Sequence, residues 1–343
     1  MERTKRALTD RRKGRDRIMK LHQGVMEPSK IKTVGIPEGL MIFEQKQLWK
    51  NFFEKLGCHV VCSGHTTNRI MNSGIELCCN ETCLPVKVFT GHAASLCEKV
   101  DYIFIPRYAS VCPHEKSCPK FCGLPDEVRI SLKNKMKLLE IDIDFNRDPR
   151  KTHLSLDNLA GELDFPPKTV EDAFAGTVKC GLAAEVSPNI SRPCNQDVPI
   201  IAVLGHPYMI FDRLLSMNLI GKLQAAGYRV MTPYDVKRSV RRQNVSPFLS
   251  NSFFETGLDI LGGAQALANL PELVGMVYLS PFACGIDSLV IEIIEHRIRN
   301  GQQIPFLKIT IDEHSGEAGF DTRLEAFLDM LPTSKGIGRE KVI

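Results

Sequence analysis

The sequence predicts an α/β fold made of two parallel-sheet domains with a cleft between them. Three observations lead to this prediction: strands rich in Val and Ile alternate with helical segments, a Pro-rich polar segment interrupts the series, and both halves begin alike. Strands that alternate with helices form parallel sheets with right-handed crossovers. Because such sheets bind ligands beyond the carboxyl ends of their strands, the cleft is the expected site.

The first domain is predicted over residues 31–150. Each strand is a short β-branched or aromatic run that ends at turn residues, and each helix follows the apolar period of a buried face. In order, these elements are the strand "KTVGIP" (32–37), a helix through "QLWKNFFEKLG", the strand "HVVCSG" (59–64), a helix after Cys83, the strand "YIFIPRY" (102–108), a helix at 126–137 and the strand "LLEIDID" (138–144).

A connecting region is predicted over residues 151–198, because "DFPPKT" and "SPNISRPCNQDVP" are rich in proline and polar residues. One or two helices are expected within it. The second domain follows over residues 199–335. Its predicted elements are the strand "IIAVLGHP" (200–207), a helix at 212–226, the strand "YRVMTP" (228–233), the helix "GLDILGGAQALANL", the strand "LVGMVYLSPF" (273–282), a helix at 288–299, the strand "PFLKITID" (305–312) and the helix "TRLEAFLDML".

The two domains are predicted to be distant copies of one unit. "TVGIPEGLMIFEQKQLWKNFFEKLGCHVV" and "AVLGHPYMIFDRLLSMNLIGKLQAAGYRVM" both contain a strand, a glycine–proline turn, the triplet "MIF" and a helix. The spacing from Pro37 to Gly57 equals that from Pro207 to Gly227. Self-similarity of this kind is the sequence signature of duplication.

The N-terminal residues 1–30 are predicted to form a basic, disordered tail. Residues 1–24 carry nine Lys or Arg against three Asp or Glu, which accounts for the net charge of +4. A start at Met26 is an alternative reading of this segment. A nucleic-acid-binding arm is not favoured, because no aromatic or base-reading pattern accompanies the charge.

Composition and hydropathy indicate a cytoplasmic protein. No apolar run approaches the roughly 18 residues that a membrane helix needs, and no apolar segment follows the basic N-terminus as in a secretory signal. Twelve cysteines are many for such a chain. In a reducing compartment they indicate metal binding, redox chemistry or buried packing instead of disulfides.

Three cysteines are predicted on loops that lead into a helix at the cleft: Cys83, Cys118 and Cys284. Pro85 after Cys83 suits a helix start, and Asp287 can cap the helix after Cys284. Helix N-termini present unpaired N–H groups and a partial positive charge, and both stabilise thiolates and iron–sulfur clusters. The sequence therefore predicts three thiolates around one inter-domain cleft.

A structural zinc site is the alternative interpretation of these cysteines. "CNETC" and "CPKFC" both have the C-x3-C spacing of zinc sites, so Cys79, Cys83, Cys118 and Cys122 could form a four-cysteine centre. That interpretation leaves Cys284 without a role. The other cysteines are predicted to be packing residues, apart from Cys112, which lies beside the same motifs.

Several motifs together resemble the 2-hydroxyacyl-CoA dehydratase activase-related proteins, which are relatives of the 2-hydroxyglutaryl-CoA dehydratase and benzoyl-CoA reductase subunits. The resemblance runs in order from about residue 32 to 332. It is carried by "IPEGLMIFEQKQLWKNFFEKLG", "ETCLPVKVFTGH", "VDYIFIPRYAS", "CPKFCGLPD", "LGHPYMIFD", "SPFACGIDSLVIEIIEH" and "DEHSGEAGFDTRLEAFLDML".

This resemblance implies two flavodoxin-like (Rossmann-like) domains and an oxygen-sensitive iron–sulfur cluster at their interface, of the 4Fe-4S or double-cubane type. The family's cysteines correspond to Cys83, Cys118 and Cys284. The implied function is to accept low-potential electrons from an ATP-hydrolysing iron–sulfur activator and pass them to an acyl-CoA dehydratase or reductase reaction. A homologous subunit in a homo- or heterodimer is a further implied partner.

Two other functions remain open at this point: a non-catalytic iron–sulfur partner or scaffold, and a zinc-stabilised binding module. The catalytic residues are unknown from the sequence. No G-x-x-x-x-G-K phosphate loop occurs, so no ATP site is predicted in this chain. Groups that could lie around the cluster are Lys87, His92, Arg107, His206 and Glu317, although Arg107 could instead pair with an anion and Glu317 with Arg323.

Overall fold

The computed structural model describes residues 31–111, 115–145, 148–181, 198–245, 254–299, 301 and 303–331. The described residues from Thr33 onward belong to one compact unit. The predicted tail at residues 1–30 lies outside the described residues, as do Cys112 and Cys194.

The first half of the chain forms a parallel sheet with the strand order β2-β1-β3-β5. A second, two-stranded parallel sheet pairs β4 with β6. The elements are β1 (Thr33–Ile36), α1 (Leu40–Lys55), β2 (His59–Cys62), α2 (Asn68–Leu77), α3 (Leu84–Leu96), β3 (Tyr102–Phe104), β4 (Arg107–Ser110), α4 (Pro119–Ser131), β5 (Leu138–Leu139) and β6 (Asp142–Asp144).

Two helices, α5 (Pro149–Leu163) and α6 (Pro167–Gly181), occupy the beginning of the predicted connecting region. The α5 helix begins at Asp148, whose carboxylate accepts the backbone N–H of Arg150. It ends at Asp164, which has the left-handed conformation common at helix C-termini. The α6 helix packs against both α1 and α5, and α5 packs against β6 of the two-stranded sheet.

The second half forms another parallel sheet, with the strand order β10-β9-β7-β8. All five residues of β7 are buried, as expected for a central parallel strand. The elements are β7 (Ile200–Leu204), α7 (Pro207–Ile210), α8 (Leu219–Ala225), β8 (Arg229–Met231), α9 (Arg238–Val245), α10 (Glu255–Ala268), β9 (Leu273–Pro281), α11 (Gly285–Ile293), β10 (Phe306–Ile311) and α12 (Glu317–Met330).

These sheets confirm the predicted α/β class, but two predicted strands are each divided. The run at 102–108 becomes β3 and β4, because Pro106 between them has no N–H to donate. The run at 138–144 likewise becomes β5 and β6. The backbone N–H groups of Ile105 and Arg107 donate to carbonyl groups of the 138–144 run. The two runs therefore stay hydrogen-bonded where one sheet ends and the other begins.

The helix predicted at 126–137 is wrong by about two turns at its start. The α4 helix begins at Pro119, and Pro125 lies inside it. A proline in a helix interior lacks its hydrogen bond and is usually a breaker, which is why the sequence pattern placed the start after it.

Other helices also differ from the predictions. The helices α2, α7 and α9 were not predicted, and the helix predicted at 212–226 is reduced to α8. Asn218, with a left-handed φ of 57°, sets the start of α8. At the end of α11, residues Ile294–Arg299 continue as a π-helix.

One hydrophobic cluster joins the two halves. It contains Ile36 and Phe104 of the first sheet and Val203 and Leu279 of the second. The predicted domain boundaries at residues 150 and 199 therefore stay a prediction. Among the described residues, no helix is both long and apolar enough to cross a membrane.

Candidate metal centre

Three cysteines stand at the starts of three helices, as the sequence predicts. Cys83 is the N-cap residue of α3, Cys118 that of α4 and Cys284 that of α11. All three are half-buried free thiols. Pro119 in the first turn of α4 and Pro85 in that of α3 cost no hydrogen bond there, which favours these two helix starts.

Each of the three sulfur atoms accepts a backbone N–H from its own helix. Val86 donates to Cys83, and Lys120 and Phe121 donate to Cys118. Asp287 donates to Cys284 Sγ over 3.5 Å. Helix N-termini supply such donors because their first N–H groups have no partner within the helix. The site therefore presents electron-poor groups to all three sulfurs.

The three thiols also lie near one another. Burial and, after it, the neighbouring thiols of Cys284 and Cys118 raise the pKa of Cys83 to about 12. Burial and the neighbouring Cys284 likewise raise the pKa of Cys118. The pKa of buried Tyr208 is raised by burial and then by all three cysteines, so its ring lies beside the group they form.

The geometry of this group differs from that of a single-ion site. Among the described residues, one set of at least three potential ligands has all its ligand atoms within 4.8 Å: His206, Cys284 and Asp287. The three cysteines are not such a set. In a cluster each thiolate binds a different iron, so its ligands stand farther apart than those of one ion.

The four cysteines of the zinc interpretation do not form a compact set either, within the part of the chain that the structure describes. A tetrahedral zinc ion requires its four sulfurs about 2.3 Å from one centre. Cys79 is exposed, and its sulfur contacts the Thr82 hydroxyl at 3.1 Å.

His206 lies against Cys284 and is almost fully buried. Its Nε2 atom is 3.1 Å from Asp287 Oδ1 and 3.7 Å from Cys284 Sγ. Asp287 is also held by the Tyr278 hydroxyl, which donates over 2.6 Å. Burial alone would lower the pKa of His206, but the Asp287 carboxylate outweighs burial and raises it well above its usual range.

His92, also buried, belongs to a hydrogen-bond chain between the two halves. Ser63 Oγ lies 2.8 Å from Nδ1 and Thr66 Oγ1 3.0 Å from Nε2, and Thr66 donates to Asp212. Because Thr66 gives its single hydroxyl hydrogen to Asp212, it can only accept from His92. His92 then donates from Nε2 to Thr66. Burial lowers the pKa of His92 to about 4.

Lys87 is 2% exposed and donates to Glu313 Oε1 over 2.6 Å. This ion pair joins α3 to the loop after β10, on the opposite half.

A cavity of about 1030 Å³ lies between the halves. Glu38, Lys46 and Thr66 line it from the first half, and Asp212, Arg213 and Glu313 from the second. Leu84, which directly follows Cys83, lies in its wall. None of Cys83, Cys118 and Cys284 lies in this wall.

Arg107 and Glu317, two of the predicted neighbours, pair with other charged residues. Arg107 pairs with Asp126, Glu140 and Asp142, which gives it an ion-pair role in the first half. Glu317 lines the cavity but pairs with Lys222, so its predicted ion pair with Arg323 is wrong. Lys222 of α8 lies 2.7 Å from Glu317. Arg323 is six residues after Glu317 on the same helix, which is not the spacing of side chains that face each other.

Sequence reasoning missed Tyr208 and Tyr278 and saw only a cap in Asp287. The motif "GHPY" contains both His206 and Tyr208, whose rings stack at 5.0 Å. Tyr208 directly after the proline is the sequence feature that could have predicted this stacking. Tyr278 gives no such signal, because it is one apolar-looking residue of a buried strand.

Comparison with known families gives one match. The family model described as the CoA enzyme activase uncharacterised domain (DUF2229) matches residues 33–236, more than half of the chain. No curated protein matches the chain. The matched segment includes Cys83, Cys118 and His206, and Cys284 lies beyond it.

Proposed function

Because the chain belongs to the CoA enzyme activase uncharacterised domain family, we propose that it is an iron–sulfur redox protein of an acyl-CoA dehydratase or reductase system. In this proposal it accepts low-potential electrons from an ATP-hydrolysing activator. The observation that supports it most is the convergence of Cys83, Cys118 and Cys284 at three helix N-termini.

The ionisation of the thiols supports a metal group at this site. Burial and mutual repulsion raise the pKa of Cys83 and Cys118, so these thiols stay protonated without a cation. Metal binding requires the thiolate, and a positive centre removes the repulsion among the three sulfurs. The backbone N–H groups at the helix starts fit the sulfur atoms of an iron–sulfur cluster.

Cys83, Cys118 and Cys284 would hold the cluster, and a non-protein ligand would complete its coordination. When bound, a cluster of this kind supplies one-electron transfer at low potential. The protein's own contribution is a half-buried site whose helix N-termini offset the negative charge of the thiolates.

The neighbouring cavity is the proposed place for the molecule that is reduced. Its acidic side chains are already satisfied: Glu38 by Lys46, Glu313 by Lys87 and Asp212 by Thr66. Phe43 and Phe211 are apolar parts of the remaining wall, which also includes the polar residues His65 and Arg213. The apolar parts suit a hydrophobic acyl group, which requires no polar partner.

Anaerobic purification tests the proposal. We expect iron and acid-labile sulfide in comparable amounts, with a broad visible absorbance. The variants C83S, C118S and C284S should each lose most of the iron. The matched control is C97S, because Cys97 is a half-buried thiol at the opposite end of α3. Zinc without sulfide in the purified chain, or iron retained in all three variants, contradicts the proposal.

The family description favours a second candidate, the activator itself, since it names activation of a CoA enzyme. ATP hydrolysis by the isolated chain would support this candidate over the electron acceptor.

An assay that contains a matched activator, ATP and acyl-CoA substrates distinguishes a catalytic acceptor from a non-catalytic scaffold. The acceptor proposal expects turnover that depends on both proteins. A separate arm with an added homologous subunit tests whether that subunit is required.

A further inference from the structure

We propose that His206 is a positioning residue that donates a hydrogen bond to the Cys284 sulfur and thereby raises the reduction potential of the group held by the three cysteines. This inference rests on the proposed function. It adds a side-chain donor to the backbone donors already described, and it assigns His206 a role outside the metal ligands.

The donor atom follows from the contacts of the imidazole. Nε2 lies 3.1 Å from Asp287 Oδ1 and 3.7 Å from Cys284 Sγ. An ionised carboxylate can only accept, so Nε2 must carry the hydrogen. A sulfur acceptor permits a longer contact than oxygen does, and one N–H can be shared between two acceptors. The His206 Nε2–H is therefore shared between the Asp287 carboxylate and the Cys284 sulfur.

The surroundings keep the imidazole in this orientation. Its ring stacks on that of Tyr208, with centroids 5.0 Å apart and planes 7° from parallel. The Asp287 carboxylate that orients it is completely buried and is fixed by the Tyr278 hydroxyl at 2.6 Å. His206 Nδ1 and Asp287 Oδ2 are buried without a hydrogen-bond partner among the described residues. This polar group thus costs stability, which indicates a role beyond packing.

The direction of the effect comes from charge. Reduction adds an electron to a group bound by thiolates, and a donor at a thiolate sulfur stabilises the added negative charge. Removing the donor should therefore make the potential more negative. Direct metal binding by His206, Cys284 and Asp287 is the competing explanation, because their ligand atoms lie within 4.8 Å of one another.

Two variants distinguish these explanations. H206L removes the donor at similar volume, whereas H206Q can place an amide N–H near the Nε2 position. The controls are H59L and H59Q, because His59 is exposed at the start of β2. The measurements are iron per chain, the anaerobic redox titration of the visible absorbance, and the electron paramagnetic resonance spectrum of the reduced protein.

We expect H206L to keep its iron and to titrate at a more negative potential than the wild type, with H206Q closer to the wild type. An unchanged potential in iron-loaded H206L overturns the inference alone. Loss of iron in both His206 variants assigns a ligand role and also overturns it. A wild-type chain without iron overturns the proposed function, and this inference with it.

If H206L does not fold, Tyr278→Phe replaces it as the test. Without the Tyr278 hydroxyl, the Asp287 carboxylate becomes a stronger acceptor and draws the His206 hydrogen away from Cys284. A smaller shift in the same negative direction is then expected, and no shift overturns the inference.

Discussion

Burial decides how individual side chains ionise in this protein. Burial raises the pKa of Glu44 and Glu255 to about 7 and lowers that of His92 to about 4. All three changes favour the neutral form, as expected where water is excluded. Cys83 follows the same rule, with neighbouring thiols as an additional cause. The interface between the halves therefore holds several groups whose protonation is tied to folding.

The pKa of His92 predicts a loss of stability in acid. Between pH 6.5, the ordinary pKa of histidine, and pH about 4, His92 is protonated in the unfolded chain but stays neutral in the folded protein. The free energy of unfolding should therefore fall over this range, by up to about 3 kcal/mol, and change no further from this cause below it. His92→Gln should be less stable near pH 7 but lack this part of the slope.

Urea unfolding of the wild type and His92→Gln at several pH values checks this prediction. His153→Gln is the control, because His153 is 70% exposed. Identical slopes in the wild type and His92→Gln would show that His92 does not titrate as its burial requires.

The residue scale also shows how far sequence reasoning reaches. The positions of Cys83, Cys118 and Cys284 at helix starts were predicted, because proline and capping residues lie beside them in the chain. The partners of Asp287 were not, because Tyr278 lies in β9 and His206 follows β7, and the two meet only after folding. Local signals locate a side chain on its element but do not name its neighbours.

At the scale of elements, a close crossing of two helices positions α3 and with it Cys83. A Cβ atom added to Gly91 would lie 2.0 Å from the carbonyl oxygen of Ile70, and one added to Gly74 would lie 1.8 Å from that of Lys87. Both contacts involve backbone atoms, which cannot move without displacing a helix. Glycine is therefore required at both positions.

Gly91→Ala should destabilise the protein by about 2 kcal/mol or more, because the helices must separate. The matched control is Gly161→Ala in α5, where an added Cβ meets nothing within 4 Å. The control should gain up to about 1 kcal/mol from the better helix propensity of alanine. Thermal and urea unfolding measure both. Equal gains in the two variants would contradict the crossing.

Element boundaries were predicted less well than element types. Because Pro125 lies inside α4, the sequence pattern did not predict the first two turns of this helix. The apolar pattern also predicted one strand where Pro106 separates β3 from β4. The α2 helix escaped prediction because its sequence, "NRIMNSGIEL", contains glycine and asparagines that disfavour helices in isolation. Packing against α3 stabilises it, and that contact is not visible in a local pattern.

On the scale of the whole molecule, the two halves are held together by a shared core and by ion pairs. Glu115 of the first half pairs with Arg238 and Arg242 of the second. Lys87 pairs with Glu313. The hydrogen bond lowers the pKa of Glu313, so this carboxylate stays ionised opposite the buried lysine.

Glu313→Gln should cost about 3 kcal/mol of unfolding free energy, because it leaves the Lys87 charge buried without its counter-charge. The double variant Lys87→Met, Glu313→Gln should recover much of this loss, since the methionine carries no charge. Urea unfolding of the wild type, both single variants and the double variant measures the coupling. Additive effects of the two substitutions would contradict a direct interaction.

The order of the cysteines along the chain has a consequence for biosynthesis. Cys83 and Cys118 leave the ribosome long before Cys284, and the matched family segment ends before that third thiol. A nascent chain therefore carries an incomplete set of the proposed ligands until Cys284 has been synthesised. Stable binding of iron should follow the synthesis of Cys284, and a chain shortened after residue 236 should not retain the metal.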